Sequence, residues 1–321
     1  MSRFSCMVAV FLVATSTSFA QVGSYPNRPI RLVVPSTPGG GLDVLARITS
    51  PRLMTRWGQR IVIDNRSGAG GIIGTDIVAK AAPDGYTLLI VTTGFASNPF
   101  LHDKLPYSTP ADFAPITILG SAANVLVAHP GVSIKTVKDL IASAKDKRGQ
   151  LTFASPGVGS GGHLAMALFQ RMAGLDLVHV PYKGGGAATA AVITGESQFL
   201  FTGAGAAIPH LKSGRMQAIG ITSAKRVSAL PDVPTVAESG LPGYEVDGWY
   251  GVMAPAGTPK ALIDKIYGDV LAVLKMREVA SQIQANGFEQ GGMPPAEFSH
   301  AIKAEMNKWQ TVIKEAGIRA E

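Results

Sequence analysis

The feature that most restricts the fold is a regular alternation of short apolar runs with longer segments of helical pattern. The apolar runs are mostly continuous, which is typical of strands covered on both faces. They occupy residues 30–34, 61–64, 87–91, 124–128, 151–154, 177–180, 198–201 and 216–221. Predicted helices lie between them at residues 43–57, 74–82, 136–147, 164–173, 187–194 and 204–212. The alternation predicts an α/β fold with mainly parallel sheets flanked by helices.

Proline and glycine punctuate this pattern. Pro51 lies inside the first predicted helix, so we expect a kink or an early end there. Residues 227–256 are rich in Pro and Gly and show few clear periods. Three helical segments follow at residues 259–275, 278–285 and 295–316. In the last of them, Phe298, Ile302 and Trp309 belong to an amphipathic face that predicts packing on the core.

The first twenty residues are typical of a secretory signal peptide. Arg3 supplies a positive start, residues 7–14 are apolar, and small residues precede a cleavage site that we place after Ala20. The apolar run is too short to span a bilayer. The only cysteine, Cys6, would leave with this segment, which excludes a cysteine nucleophile or a cysteine-based metal site in the exported chain.

Charge and histidine spacing exclude several function classes. The net charge is +7 with scattered basic residues and no aromatic–basic stripe, so we expect no nucleic-acid partner. A positive balance suits small anionic molecules better. Five histidines outside the glycine-rich loops show no metal-ligand spacing, and we expect no metal and no cofactor. These histidines, expected to be structural or exposed, are His102, His129, His179, His210 and His300.

Two glycine-rich loops each follow a predicted strand and open a predicted helix. One covers residues 35–43 and the other residues 155–163. Glycine lets backbone N–H groups face a guest, and a helix start adds unpaired donors and partial positive charge. The two loops therefore predict an anion site between two lobes, although such loops also carry glycine simply to turn the chain. Thr92 and Thr202 follow other strands and are candidates for the same cleft.

The second glycine loop also suggests a dinucleotide site or a serine hydrolase, but each of these motifs is incomplete. Residues 157–162 match G-x-G-x-x-G, but no acid follows at the end of the next strand, as a dinucleotide site requires. Ser160 and His163 suggest a serine hydrolase, but Val158 breaks the G-x-S-x-G motif. We therefore expect no catalytic residue, and His163 is either a ligand contact or a residue that bonds its own loop.

Ordered motifs along the whole exported chain resemble the Bug family, also called TctC-like, of solute-binding receptors for tripartite tricarboxylate transporters. The motifs are YPNRPI at residues 25–30, VPSTPGGGLD at 34–43, NRSGAGG at 65–71, APDGYTLL at 82–89, SPGVGS at 155–160, HVPYKG at 179–184, LPDVPT at 230–235 and PAGTP at 255–259.

The resemblance implies a two-lobed periplasmic binding protein fold, type II-like, with a cleft between the lobes. Lobe 1 is expected to comprise residues 21–122 plus 226–321, and lobe 2 residues 123–225. The resemblance also implies a periplasmic monomer that is not an enzyme and that delivers a small organic carboxylate to membrane transporter subunits. A sensor that serves a signalling partner would use the same binding chemistry.

The resemblance also assigns the ligand-binding residues. A carboxylate is expected between the two glycine loops, with Lys183 or its backbone and Thr202 lining the remainder. Members that bind amino acids are expected to have an acid near position 202, so the threonine here favours a simple or aromatic carboxylate. The glycine-loop contacts implied are Ser36, Thr37, Gly39, Gly40, Ser155, Ser160 and His163.

Overall fold

The computed structural model describes residues 25–319, which form ten strands and ten α-helices. The predicted signal peptide, residues 1–20, lies outside this range, and its cleavage site stays a prediction. In chain order the elements of the first part are β1 Ile30–Val34, α1 Gly41–Trp57, β2 Ile61–Asn65, α2 Ile72–Ala79, β3 Thr87–Thr92, α3 Gly94–Leu101, β4 Phe113–Ala128, α4 Val137–Asp146, β5 Thr152–Ser155 and α5 Gly161–Ala173. The remaining elements are β6 Val178–Pro181, α6 Gly185–Thr194, β7 Phe199–Gly203, α7 Ala204–Lys212, β8 Gln217–Ile221, β9 Asp247–Pro255, α8 Lys260–Leu274, α9 Arg277–Ala285, β10 Glu289–Gln290 and α10 Pro295–Glu315.

The sheet runs in the order β2-β1-β3-β9-β4-β7-β5-β6. Strands β1, β2 and β3 pair in parallel at one end, and β5, β6 and β7 pair in parallel at the other. Between these ends, β9 runs antiparallel to β3 and β4, and β4 runs antiparallel to β7. Two parallel α/β lobes are thus joined through an antiparallel centre.

Strand β4 belongs to both lobes. Its first part, up to Ala123, pairs with β9, whereas Asn124 and the residues after it pair with β7 and β8. The change of partner lies one residue beyond the lobe boundary that we expected from the sequence. The full set of lobe boundaries stays a prediction.

Most predicted elements form close to their expected bounds, because continuous apolar runs and helix-stop glycines are strong local signals. The sequence analysis missed α3, β9 and β10, and it found only the last five residues of β4. Of the two outcomes expected at Pro51, a kink or an early end, the early end is wrong, since α1 continues to Trp57. Beyond the proline, Leu53 and Trp57 are buried and the Trp57 indole donates to Asp269 at 2.8 Å, so packing holds the last turn.

Helix α10 covers the central strands. Phe298 is fully buried, and its ring meets Trp249 of β9 edge-on at a centroid distance of 5.2 Å. The same ring lies so close to Gly251 that a side chain there would approach it to 2.3 Å. Within residues 25–319, no helix has both the length and the apolar character needed to cross a bilayer.

Phe298→Ala should destabilise the protein by about 3–5 kcal/mol, because it removes a buried ring and leaves a cavity between α10 and β9. Urea unfolding would measure the change. Lys303→Ala, on the exposed face of the same helix, is the matched control and should stay within about 0.5 kcal/mol of the parent. Equal stabilities for the two variants would contradict the packing described here.

Candidate functional site

A cavity of ≈ 540 Å³ lies between the two lobes. On one side it is lined by the turn before α2 and by α3, and on the other by the second glycine loop and the end of β7. Strands β4 and β9 form its floor. Its lining residues are Ala69, Gly70, Thr92, Thr93, Gly94, Ser97, Asn98, Leu101, His102, Ala122, Asn124, Pro156, Gly157, Val158, Gly159, Ser160, Gly161, Leu164, Gly203, Val246, Gly248, Tyr250 and Trp309.

Three helices begin at this cavity, namely α3, α5 and α7, with Thr93, Ser160 and Gly203 as their N-cap residues. The first N–H groups of a helix have no acceptor within the helix and carry partial positive charge. Strand ends point these helix starts at the cleft because each helix follows a strand of its lobe. The arrangement is therefore suited to an anion.

The second glycine loop has a shape that only glycine permits. Gly157 and Gly159 have φ values of 142° and 73°, in the region that other residues rarely adopt. A side chain at Gly162 would approach the carbonyl oxygen of Phe201 to 2.5 Å. The Ser160 hydroxyl caps α5 by accepting from the His163 amide at 3.4 Å. No residue within 25–319 accepts from the N–H groups of Gly161 and Gly162.

Two stacked imidazoles brace this loop from behind. His163 Nδ1 accepts from the Gly159 N–H at 3.0 Å, so Nδ1 carries no proton. The His163 and His179 rings stack with centroids 3.8 Å apart. His179 Nε2 lies 2.6 Å from the hydroxyl of Ser155, which also bonds both the N–H and the C=O of Gly157. Both histidines thus contact the loop, and the bond from Gly159 requires that His163 be neutral.

Burial favours the neutral form of both imidazoles. Desolvation, with a smaller contribution from His179, lowers the pKa of His163 to about 4, and burial also lowers the pKa of His179. The groups that face this pair from neighbouring elements are mixed in sign. They are Arg148, Arg171, Asp176 and Glu315.

The first glycine loop is partly occupied by the protein itself. The buried Asp43 carboxylate accepts from the Gly39 N–H at 2.9 Å, from Arg47 at 2.8 Å and from Asn65 at 3.1 Å. Hydrogen bonding from Arg47 is the main cause that lowers the Asp43 pKa to about 2. Tyr250 separates this loop from the cavity, since a side chain at Gly41 would approach its hydroxyl to 2.9 Å.

The structure places the ten expected contact residues in three groups. Thr92 and Ser160 line the cavity. Ser155 and His163 lie behind the second loop and shape it. Residues that do not line the cavity are Ser36, Thr37, Gly39 and Gly40 behind Tyr250, the exposed Lys183, and Thr202, which precedes the lining residue Gly203.

Sequence reasoning missed one wall of the cavity. The missed residues are chiefly Asn98 of α3 and His102 directly after it, together with Asn124 of β4 and Trp309 of α10. The spacing of small and polar residues at 94, 97 and 98 is helical and could have revealed α3. Asn124 and Trp309 come from distant elements, and no local signal marks them.

The cavity lining contains no lysine, arginine, aspartate or glutamate. Its only titratable side chains are His102 and Tyr250, and burial raises the pKa of Tyr250. The groups in the lining that can form hydrogen bonds are therefore neutral hydroxyls, amides and the N–H groups at helix starts. Across residues 25–319, no three histidine, cysteine or acidic side chains gather as a metal site would require.

Two α/β lobes around a cleft lined by helix starts define a solute-binding protein of the periplasmic binding protein type. The family model described as "Tripartite tricarboxylate transporter family receptor", TctC, matches residues 45–318. The chain belongs to this family of solute-binding receptors. The resemblance seen in its motifs and the expected fold class are thereby confirmed.

Individual relatives are similar to this chain over nine tenths of its length or more. Protein BugT of Bordetella pertussis is 35% identical and covers 99% of each chain. The structure described as R. palustris Rpa4515 with adipate is 35% identical, with a TM-score of 0.80 over 92% of this chain and 99% of that one. MatC of Rhodopseudomonas palustris with bound malate is 30% identical, with a TM-score of 0.76 over 90% and 100%.

The histidine pair should make stability depend on pH. In the unfolded chain His163 takes up a proton near pH 6.5, whereas in the folded chain its pKa is about 4. The contribution of His163 to the free energy of unfolding is therefore present above pH 6.5 and is lost as the pH falls towards 4. The free energy of unfolding in urea should fall by about 2 kcal/mol more for the native chain than for His163→Asn when the pH is lowered from 7 to 4. The asparagine amide oxygen can still accept from the Gly159 N–H.

His300→Asn removes an exposed imidazole on α10 and is the control for this comparison. Its stability should follow that of the native chain at each pH. Parallel curves for the native chain and His163→Asn would refute the role given to the buried imidazole.

Proposed function

We propose that this receptor binds a small organic carboxylate in the cavity between its lobes and delivers it to a tripartite tricarboxylate-type transporter. The observation that carries the proposal is a cleft where three helix starts meet without a single lysine, arginine or carboxylate in its lining. The adipate and malate named with two related structures support the same ligand class.

The site's donors match the chemistry of a carboxylate. Such a group is strongly hydrated. A binding site must therefore offer donors in place of the water molecules that hydrogen-bond to the carboxylate. The free amides of Gly161 and Gly162, the helix charge at Ser160 and the hydroxyl of Thr92 can do so without a full cation. Each charge-assisted hydrogen bond contributes about 1.5–3 kcal/mol, and several together support micromolar binding of about 8 kcal/mol.

The first glycine loop has a conditional role in this proposal. Ser36, Thr37, Gly39 and Gly40 reach a ligand only after the Tyr250 ring moves from its place beside Gly41. Thr202 and Lys183 line the outer part of the site in the same rearrangement. Ser155 and His163 act through the second loop, whose shape they maintain.

Delivery follows from closure of the lobes. Ligand held from both sides draws the lobes together, and the closed surface is what the membrane subunits recognise. In this proposal the chain acts as a monomer in the periplasm, after removal of its signal peptide at Ala20.

Binding proceeds without catalysis in this proposal. The Ser160 hydroxyl accepts from the His163 backbone amide, and the His163 ring bonds Gly159 instead of the hydroxyl. A serine nucleophile needs the ring of its base within hydrogen-bond reach.

Ser160→Ala should weaken carboxylate binding, and neither it nor the parent should hydrolyse a panel of p-nitrophenyl esters. Ester turnover by the parent that disappears in Ser160→Ala would favour the hydrolase instead.

Gly161→Pro should weaken adipate binding by about 10- to 100-fold, because it removes one free N–H from the anion site. Position 161 is the first residue of α5, where proline is well tolerated, and Ser160 already has the extended backbone that precedes proline. Titration calorimetry with adipate would measure the loss.

Gly161→Ala keeps the N–H and is the matched control. A side chain at this position meets no atom within 4 Å, so the alanine variant should bind adipate like the parent. Equal affinities for the proline and alanine variants would show that this amide does not bind the ligand.

A thermal-shift screen over mono-, di- and tricarboxylates and aromatic acids would test the proposed ligand class. Shifts with sugars or cations alone would overturn that class.

A further inference from the structure

A second pocket lies on the other side of the strand that forms the floor of the cavity. This rear pocket has a volume of ≈ 640 Å³ and lies between β9, the segment around β10 and α10. Gly248 and Tyr250 of β9 line the cavity, whereas Asp247 and Trp249, which alternate with them, line the rear pocket. The other charged residues of its lining are Glu245, Glu305 and Lys308.

The indole N–H of Trp249 lacks a hydrogen-bond acceptor. Trp249 is 5% exposed, and its Nε1 atom has no partner among residues 25–319. Buried donors of this kind are rare, because each costs about 1–3 kcal/mol when it is left unpaired. The neighbouring Trp309 shows the usual arrangement, since its indole donates to Glu305 at 2.6 Å. Trp249 therefore offers a donor to an oxygen atom of a guest in the rear pocket.

The carboxylate of Asp247 also lacks a partner. It is half-buried, and within residues 25–319 it forms no hydrogen bond and no ion pair. The one lysine of the pocket, Lys308, already donates to the Glu305 carboxylate and to the Glu245 carbonyl oxygen. A partly buried carboxylate without a partner is costly, and a cation in the pocket would relieve that cost.

The charge around Asp247 favours a cation. Burial, with a smaller contribution from Glu245, raises the pKa of Asp247 to about 6. The lining of the rear pocket has three acids and one lysine, in a chain whose net charge is +7. Within residues 25–319 no three acidic side chains gather as a metal ion requires, so an organic cation fits better.

The opposite side of Asp247 faces a smaller pocket, whose charged groups are occupied or exposed. Arg226 pairs with Glu238 at 3.0 Å, and Glu289 accepts from the Ser228 amide at 3.2 Å. Lys225 is exposed. The charged groups that face Asp247 from all sides are therefore Glu245, Glu305, Lys308, Lys225, Arg226 and Glu289.

We propose that the rear pocket binds a small organic ammonium compound that also carries a neutral oxygen acceptor, such as an amino alcohol, at a site separate from the cavity between the lobes. The ammonium group pairs with Asp247, and the oxygen accepts from the indole N–H of Trp249. These residues are about 6.7 Å apart along β9, which suits a chain of about three carbons. Ile118, Met293 and Ala301 provide apolar contacts for that chain.

The test uses 3-amino-1-propanol together with two compounds that each lack one of its groups. Propylamine has no oxygen, and 1,3-propanediol has no ammonium group. In titration calorimetry at pH 8, the native chain should bind 3-amino-1-propanol at least 10-fold more tightly than either compound.

Two variants separate the two contacts. Asp247→Asn should weaken the binding of both amines by about 10-fold or more, because it removes the charge that pairs with the ammonium group. Trp249→Phe keeps an aromatic ring without the N–H and should reduce the affinity for 3-amino-1-propanol to that for propylamine. Glu297→Gln, which neutralises an exposed acid of α10 outside the pocket, is the control and should bind like the native chain.

The pH dependence gives an independent readout. The affinity of the native chain for 3-amino-1-propanol should fall as the pH is lowered from 8 to 5, because Asp247 takes up a proton near pH 6 while the amine stays charged. The affinity of Asp247→Asn should stay constant over this range. Saturating adipate should not displace the amine from the native chain.

The opposite results would overturn the site. They are a native chain that binds none of the three compounds, equal amine affinities in the native chain and Asp247→Asn, or displacement of the amine by adipate. Equal affinities for 3-amino-1-propanol in the native chain and Trp249→Phe would overturn the contact with the indole. Melting temperatures within a few degrees of the native value establish that the variants are folded. Carboxylate binding is tested separately by the thermal-shift screen.

Discussion

Unpaired backbone N–H groups at helix starts are the constraint on which this molecule's function depends. In both lobes the strands of a parallel sheet lead into helices, so the carboxyl ends of β3, β5 and β7 bring α3, α5 and α7 to one cleft. Such donors must bond to side chains, water or a guest. The topology thus creates a surface suited to an anion before any side chain is considered.

The long antiparallel pair of β4 and β9 joins this surface to the core. Alternation along β9 sends Gly248 and Tyr250 to the cavity and Trp249 to the other face, where it packs on Phe298. One face of β9 therefore forms the floor of the cavity, and its other face packs against α10. Because β4 pairs first with β9 and then with β7, it also sets the position of each lobe against the other.

The site is neutral although the chain is basic. Its hydrogen bonds come from amides and hydroxyls, and the brace behind the second loop uses imidazoles whose positive form is disfavoured by burial. A neutral site binds an anion without the desolvation of a buried cation. Distances and shape then decide which anion fits.

Local sequence determined much of this protein. Apolar runs predicted eight of the strands, and glycines at positions such as 157 and 159 predicted the loop that begins α5, because few other residues adopt their backbone angles. The motifs predicted the family. Strand β9 was missed because its two glycines and initial aspartate dilute the apolar pattern. Helix α3 was missed because Pro99 interrupts the helical pattern of its eight residues.

Only the tertiary structure decided which donors face the cleft. The sequence presents two similar glycine loops, but Asp43 occupies a donor of the first and Tyr250 stands between that loop and the cavity. From the sequence, His163 was expected to contact the ligand or bond its own loop, and His102 and His179 to be structural or exposed. Packing places His163 and His179 together behind a loop, and His102 lines the cavity. Local signals specify which conformation a segment adopts, whereas the exposure of each polar group depends on contacts between residues far apart in the chain.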